Sequence, residues 1–306
     1  MLQYYEKNTD GDGLIQTVGS DKPKVQYIFS DGLVRKDAKA LENDLGLAGH
    51  LLSDVFDADE LPRVDQDNGT KYVFLRAAEL KNGKLQSHPM LFITGADYFA
   101  CLSVDKDATS LILEPMKDLP VSSPDHVRNL GMNIVAKKYE LLIDEIGGQI
   151  NRIEKRMRSH EVTNDDFYKF VSIENSLGRL RTILVGLQTV AERLMDTAKN
   201  EADRQLLDDI RLFSKQLLVE AESCLQSIGS IRNAYSTIAN NTLNQRMKLL
   251  TSLTLLLALP NVFYSMYGMN VQLPFMRESW AYFGIVGFTV IMMIIIFMIA
   301  RQRRLF

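Results

Sequence analysis

The sequence predicts an α+β chain. A cytosolic mixed α/β domain (1–122) precedes a helical hairpin (123–199) and a very long stalk helix (200–246). That helix runs on into a first transmembrane helix (247–269), followed by an outer loop (270–279), a second transmembrane helix (280–300) and a basic tail (301–306). Three observations carry this reading. Up to about position 121, short apolar runs alternate with turn residues, as strands and short helices require. Beyond it, apolar residues recur at helical spacing over long stretches. Near the end, no Lys, Arg, Asp or Glu occurs between Lys248 and Arg277 or between Glu278 and Arg301, so each stretch supplies the ~20 apolar residues of a bilayer span.

In the α/β domain the strand-like runs are 25–29, 72–76, 90–93 and 98–104, and 37–45 reads as helix. Asn8-Thr9-Asp10-Gly11-Asp12-Gly13 resembles the opening of a calcium loop. Its twelfth position is Gly19, where a bidentate glutamate is needed, so a turn is expected. Ser122-Ser123-Pro124-Asp125 is a helix start: a capping serine, a proline in the first turn and an acid at the positive dipole end. Tyr139, Leu142, Ile146, Ile150, Ile153 and Met157 form one apolar stripe. Phe170, Ile173, Leu177, Leu180, Leu184 and Leu187 form a second, and the two predict an antiparallel hairpin with its tip near 159–163. Gly147-Gly148 predicts a kink in the first arm. A third helix is expected from about Asn200, with no strong breaker before Pro260; its ~69 residues would span about 100 Å.

Arg246 and Lys248 precede the first span and Arg301, Arg303 and Arg304 follow the second, while the loop between carries only Arg277, offset by Glu278. The positive-inside rule places both termini in the cytoplasm, with Trp280, Tyr282 and Phe283 at the outer headgroups. Residues 1–20 hold Asp10 and Asp12 where a signal peptide needs an apolar run, so the chain ahead of the spans is expected in the cytosol.

Several functions are set aside. A net charge of -3 offers no overall basic field for nucleic acid. Cys101 and Cys224 read as ordinary reduced residues, and His50, His88, His126 and His160 are isolated in sequence. There is no G-x-x-x-x-G-K-[ST] run and no nucleophile with a base, so neither an enzyme nor an organic cofactor is expected.

Stepping along the third helix by four and three gives Asn233, Thr237, Asn240, Asn244, Met247, Thr251, Thr254, Ala258, Asn261 and Ser265. All but Met247 are small or uncharged polar residues, and Leu250 is counted with the lining set. A period of 3.5 belongs to helices wound about a common axis. Asparagine in hydrocarbon is costly unless it faces protein or water. One wet axial seam accounts for Asn261 inside the span and Asn240 and Asn244 outside it. A neighbouring face, Ile228, Ile231, Tyr235 and Ile238, is read as packing against adjacent helices.

Tyr267-Gly268-Met269-Asn270 closes the first span, immediately before a short polar loop. In this placement it resembles the Gly-Met-Asn signature of the CorA-type family of divalent-cation channels and transporters. The resemblance implies a homopentamer in the inner membrane, with Gly268, Met269 and Asn270 repeated around it as an outer selectivity filter and Asn261 as a deeper polar ring. The implied cargo is Mg²⁺, with Co²⁺ and Ni²⁺ alongside. Mg²⁺ dehydrates reluctantly, so asparagine and backbone oxygens would bond to its waters and recognise the hydrated ion. The segment 52–65 looks like the family's acidic stretch, with Asp54 where a regulatory-metal carboxylate is expected and Asp209 similar in position to its partner on the next subunit. Ser53 and Asn133 stand where some members carry acids. Mg²⁺ bridging Asp54 and Asp209 would relieve their repulsion and lock the subunits shut. The rival readings are a zinc or other transition-metal transporter of the same architecture and, in a different class, a membrane-anchored sensor or scaffold.

Overall fold

The computed structural model describes residues 1–8, 13–17, 26–158, 164–269 and 278–302. It divides into two units, Met1–Ile231 and Arg232–Phe306.

The first unit is built on a seven-stranded sheet. In chain order its strands are β1 (Leu2–Lys7), β2 (Leu14–Gln16), β3 (Gln26–Ser30), β4 (Arg63–Asp67), β5 (Thr70–Lys81), β6 (Lys84–Thr94) and β7 (Tyr98–Ser103). Their order across the sheet is β2-β1-β3-β7-β6-β5-β4, and only the β3–β7 pair is parallel. The expected runs 72–76 and 90–93 fall inside β5 and β6, the run 98–104 exceeds β7 by one residue, and the run 25–29 matches β3 from Gln26 on, residue 25 lying outside the described set; β1, β2 and β4 were not read from the sequence. Two tight hairpins set the register of the far half. Asn68 and Gly69 (φ 46° and 80°) join β4 to β5, and Asn82 and Gly83 (φ 53° and 72°) join β5 to β6. Positive φ at both central residues matches the right-handed twist of the strands, which is why Asn-Gly suits such loops. At the other edge, Asn8 N–H donates to Gly13 O at 3.0 Å, so the calcium-loop-like segment joins β1 to β2; its residues 9–12 lie outside the described set.

Helices cover both sheet faces. Strand alternation sends Phe29, Val73, Leu75, Phe92, Phe99 and Cys101 to one side, clustered with α3 (Lys106–Met116), α4 (Pro124–Arg158), α5 (Asn164–Met195) and the first part of α6 (Glu201–Tyr267). Ile28, Tyr72, Phe74, Leu91, Ile93 and Leu102 face the other side, under α1 (Arg35–Leu45) and α2 (Gly49–Asp54). Phe92 and Phe29 both meet the Phe99 ring edge-on, at 5.4 and 6.0 Å. α2 and α3 are short and were not anticipated.

α4 begins as its sequence predicts: Ser123 Oγ accepts from His126 N–H at 3.2 Å, with Pro124 in the first turn. The two apolar stripes are buried throughout, from Tyr139 to Ile153 on α4 and from Phe170 to Leu187 on α5. The Met157 side chain and the tip 159–163 lie outside the described residues. α4 continues through Gly147-Gly148 as one helix. Glycine is required instead at Gly131, where an added Cβ would stand 2.9 Å from the Phe92 ring. Gly131→Ala is therefore expected to lower stability by about 1–3 kcal/mol, read from chemical denaturation of the purified chain.

α6 starts at a reciprocal cap. Asn200 Oδ1 accepts from Asp203 N–H at 2.7 Å, while Asn200 Nδ2 donates to Asp203 Oδ2 at 2.8 Å. The helix passes through Pro260. Ile228 and Ile231, expected to face neighbouring helices, are buried in the first unit's own core, because this turn of α6 still has apolar partners there.

The second unit holds the rest of α6 and α7 (Ala281–Gln302). Both helices are long and apolar enough to cross a membrane, with mean hydropathies of 1.5 and 2.4 over their best windows, of which 0% and 6% is buried. A buried hairpin of a soluble protein would hide those windows; these stay exposed, as a lipid-facing helix requires.

Candidate functional site

The seam occupies α6 within the second unit. Asn233, Thr237, Asn240, Asn244, Met247, Leu250, Thr251, Thr254, Ala258, Asn261 and Ser265 are all exposed along it. α7 meets α6 on the other side: the Phe263 and Phe288 rings stand edge-to-face at 5.4 Å. At 100° per residue Phe263 lies 200° from Asn261 and from Ser265, so the covered and polar faces are opposed. The threonines turn their protons inward. Thr237, Thr251 and Thr254 donate to the carbonyls of Asn233, Met247 and Leu250 at 3.0, 2.8 and 2.9 Å. Such back-bonding satisfies the hydroxyl proton and leaves oxygen lone pairs outward.

The helix end is closed by Gly268 N–H, donated to Tyr264 O and Ser265 O at 3.1 and 3.2 Å, and by Met269 N–H, donated to Met266 O at 3.3 Å. A Cβ at Gly268 would meet those two carbonyl oxygens at 3.4 Å, an ordinary contact, so local packing does not demand glycine there. Met269 is exposed. Asn270 and the outer loop through Arg277 lie outside the described residues, as do Arg303 and Arg304.

In the first unit Asp54 is the last residue of α2 and sits in a carboxylate cluster organised by Arg63. Arg63 donates to Asp54 Oδ2 at 2.7 Å, to Asp65 Oδ2 at 2.6 Å and to Glu60, while its guanidinium stacks 4.1 Å above the Phe74 ring. Burial pulls the Arg63 pKa down, but its bonds to Asp65 and Asp54 outweigh that and raise it. Arg76 anchors the same segment by donating to Ala58 O at 2.8 Å and to Glu60 O at 2.5 Å. Asp54 is thus neither a helix cap nor a free carboxylate. Asp209 is exposed on α6, beside an Asp208–Arg211 pair at 2.7 Å. The sequence reading missed Arg63 as the counter-ion of the acidic stretch; one base among Asp54, Asp57, Asp59, Glu60 and Asp65 is the signal that could have found it.

Among the described residues, two of the histidines that are isolated in sequence have a carboxylate neighbour in space. His126 Nδ1 stands 3.0 Å from Asp203, and His88 Nε2 stands 3.2 Å from Asp105. The chain turns these pairs together from positions 77 and 17 residues apart, a distance that spacing rules do not scan. Cys101 and Cys224 are free thiols whose pKa values burial raises.

A family model described as CorA-like Mg²⁺ transporter protein matches residues 25–302. Among solved structures, the complete CorA magnesium transporter from Methanocaldococcus jannaschii is similar with a TM-score of 0.83 at 16% identity, covering 99% of this chain and 98% of that one. The full-length CmaX protein gives 0.70 at 19% identity, covering 96% and 97%. The ZntB cytoplasmic domain from Vibrio parahaemolyticus gives 0.61 at 11% identity, covering 78% and 98%. No curated protein matches the chain.

Proposed function

Because the chain belongs to the CorA-like Mg²⁺ transporter protein family, matched over residues 25–302, we propose that it is a homopentameric channel passing Mg²⁺, and with it Co²⁺ and Ni²⁺, into the cytosol. The observation that carries this reading is the opposition of faces on α6: an uncharged polar seam stays exposed while Phe263, on the other side, receives α7. Symmetry copies placed seam to seam would enclose a wet path lined by asparagine amides and threonine oxygens. Those acceptors suit the waters around a cation that gives up its hydration shell reluctantly. Gly268, Met269 and Asn270 would form the outer ring, and the glycine that local packing does not need would serve that ring's backbone.

The ion's own gradient supplies the work. One divalent ion moving inward through about 100 mV releases about 4.6 kcal/mol, so no organic cofactor or hydrolysed nucleotide is called for. The two spans would lie in the inner membrane with both ends in the cytoplasm.

Uptake into liposomes holding the purified chain tests the reading. Mg²⁺ influx is expected with the parent, and Asn270→Ala should reduce it at least about tenfold by removing the ring's amide oxygens. Unchanged uptake in that variant removes the filter assignment. Zn²⁺ uptake that exceeds Mg²⁺ uptake would favour the transition-metal reading, and assembly without any flux would favour a scaffold.

For control, Asp54 and Asp209 of adjacent subunits would share a regulatory Mg²⁺, with the ion displacing Arg63 from Asp54. Asp209→Ala should then leave current flowing at internal Mg²⁺ that silences the parent. Normal closure in patch recordings of that variant would discard the site.

A further inference from the structure

Two adjacent strands, β5 and β6, and the start of α3 converge on a second metal-ligand set, away from the residues assigned above. Among the described residues, one group of three potential ligands has all its ligand atoms within 4.8 Å of one another: Glu79, His88 and Asp105. The ladder explains why. His88 pairs with Ala77, and Met90 with Ser103, so Asp105 continues the β7 line opposite His88 while Glu79 is diagonal to it, two residues along β5. Alternation puts all three side chains on the face that carries Val73, Phe92 and Cys101.

Each ligand is held in place. Asp105 caps α3, its Oδ1 accepting from Asp107 N–H at 2.9 Å, which leaves Oδ2 facing His88 Nε2 at 3.2 Å. Glu79 Oε1 is shielded from solvent and pairs with the half-exposed Lys81 ammonium at 2.5 Å, a partner that a bound cation would displace. The groups open onto a cavity of about 140 Å³ bordered by Ala77, Ala108, Leu111 and Lys138. Ligands of one tetrahedral ion lie about 3.4 Å apart, so the His88–Asp105 spacing already fits and Glu79 needs only a small rotation.

We propose that Glu79, His88 and Asp105 bind a divalent transition-metal ion, of the Co²⁺, Ni²⁺ or Zn²⁺ kind, on the sheet domain. One imidazole and two carboxylates form a mixed nitrogen and oxygen set, which favours these ions over Mg²⁺ because Mg²⁺ prefers oxygen alone. Three protein ligands leave the remaining positions to water. The bound ion ties β5, β6 and the start of α3 together, and its existence does not depend on how the seam conducts.

The test is a Co²⁺ titration of the purified full-length chain in detergent, with millimolar Mg²⁺ present to fill oxygen-only sites. The expected result is one bound Co²⁺ with visible absorption bands of a nitrogen-containing site, displaced by Zn²⁺. His88→Asn, at a half-exposed position, and Glu79→Gln should each weaken binding at least tenfold while Mg²⁺ uptake in liposomes stays at the parent level. Absent bands in the parent, or unchanged Co²⁺ affinity in both variants, would overturn the proposal. Loss of Mg²⁺ uptake in Asn270→Ala is read by a different assay, so the two assignments stand or fall separately.

Discussion

Asn261→Leu is expected to bring Mg²⁺ uptake down at least about a hundredfold while the protein still assembles. Asn261 is exposed on the seam, one helical step from Ala258 and Ser265, on the side that Phe263 and α7 leave open. In a pore, each copy would trade an amide for an isobutyl group, and a ring of leucines is a hydrophobic constriction that expels water. A hydrated divalent ion cannot shed its shell there, because nothing replaces the lost oxygens. In a scaffold, the same change would remove a polar group from a helix interface and leave association intact or tighter. Measuring oligomer mass and liposome uptake on one preparation separates the two. Parent-level flux from an intact oligomer would show that the seam is not the path.

The second large effect concerns folding. Asp203→Ala is expected to destabilise the chain by about 3–5 kcal/mol, the usual cost of removing one member of a buried charged network. Asp203 accepts from Asn200 Nδ2 at 2.8 Å and from Asn129 Nδ2 at 3.2 Å, and stands 3.0 Å from His126 Nδ1. Asn129 in turn accepts from Arg128 at 2.9 and 3.1 Å, and Arg128 reaches Asp125 at 2.6 Å. Burial pulls the Arg128 pKa down, and the carboxylates of Asp125 and Asp203 offset part of that. Alanine at 203 would leave the buried Asn129 amide without this acceptor and remove the side-chain half of the reciprocal cap of α6, while the bond from the residue 203 N–H to Asn200 Oδ1 would remain. Thermal and chemical melts of the full chain read this directly. A variant within about 0.5 kcal/mol of the parent would mean that the cluster does not hold the starts of α4 and α6 together.

The helical half of the chain was legible because its signals are long and redundant. The stripes of α4 and α5 repeat over several turns, and Ser123 and Asn200 mark the starts of α4 and α6 with side chains that do the capping. The sheet was legible only in its apolar centres. β5 extends from Thr70 to Lys81, well past the run at 72–76, because Asn68-Gly69 and Asn82-Gly83 turn the chain at both of its ends. Those dipeptides are a strong hairpin signal that an apolar-run reading passes over. The parallel β3–β7 pair, with partners as far apart as Gln26 and Tyr98, leaves no local trace at all. At the candidate site, the exposed polar stripe of α6 could be read from spacing. The Arg63 cluster and the His88 group could not, since each depends on which strands lie side by side.

Thr237, Thr251 and Thr254 each spend their only hydroxyl proton on their own backbone. At those three levels an anion such as chloride would meet electron pairs and no hydrogen to hold it. If the seam lines a pore, the threonine levels would thus favour cations without a fixed charge, while the asparagine amides between them would still offer N–H donors.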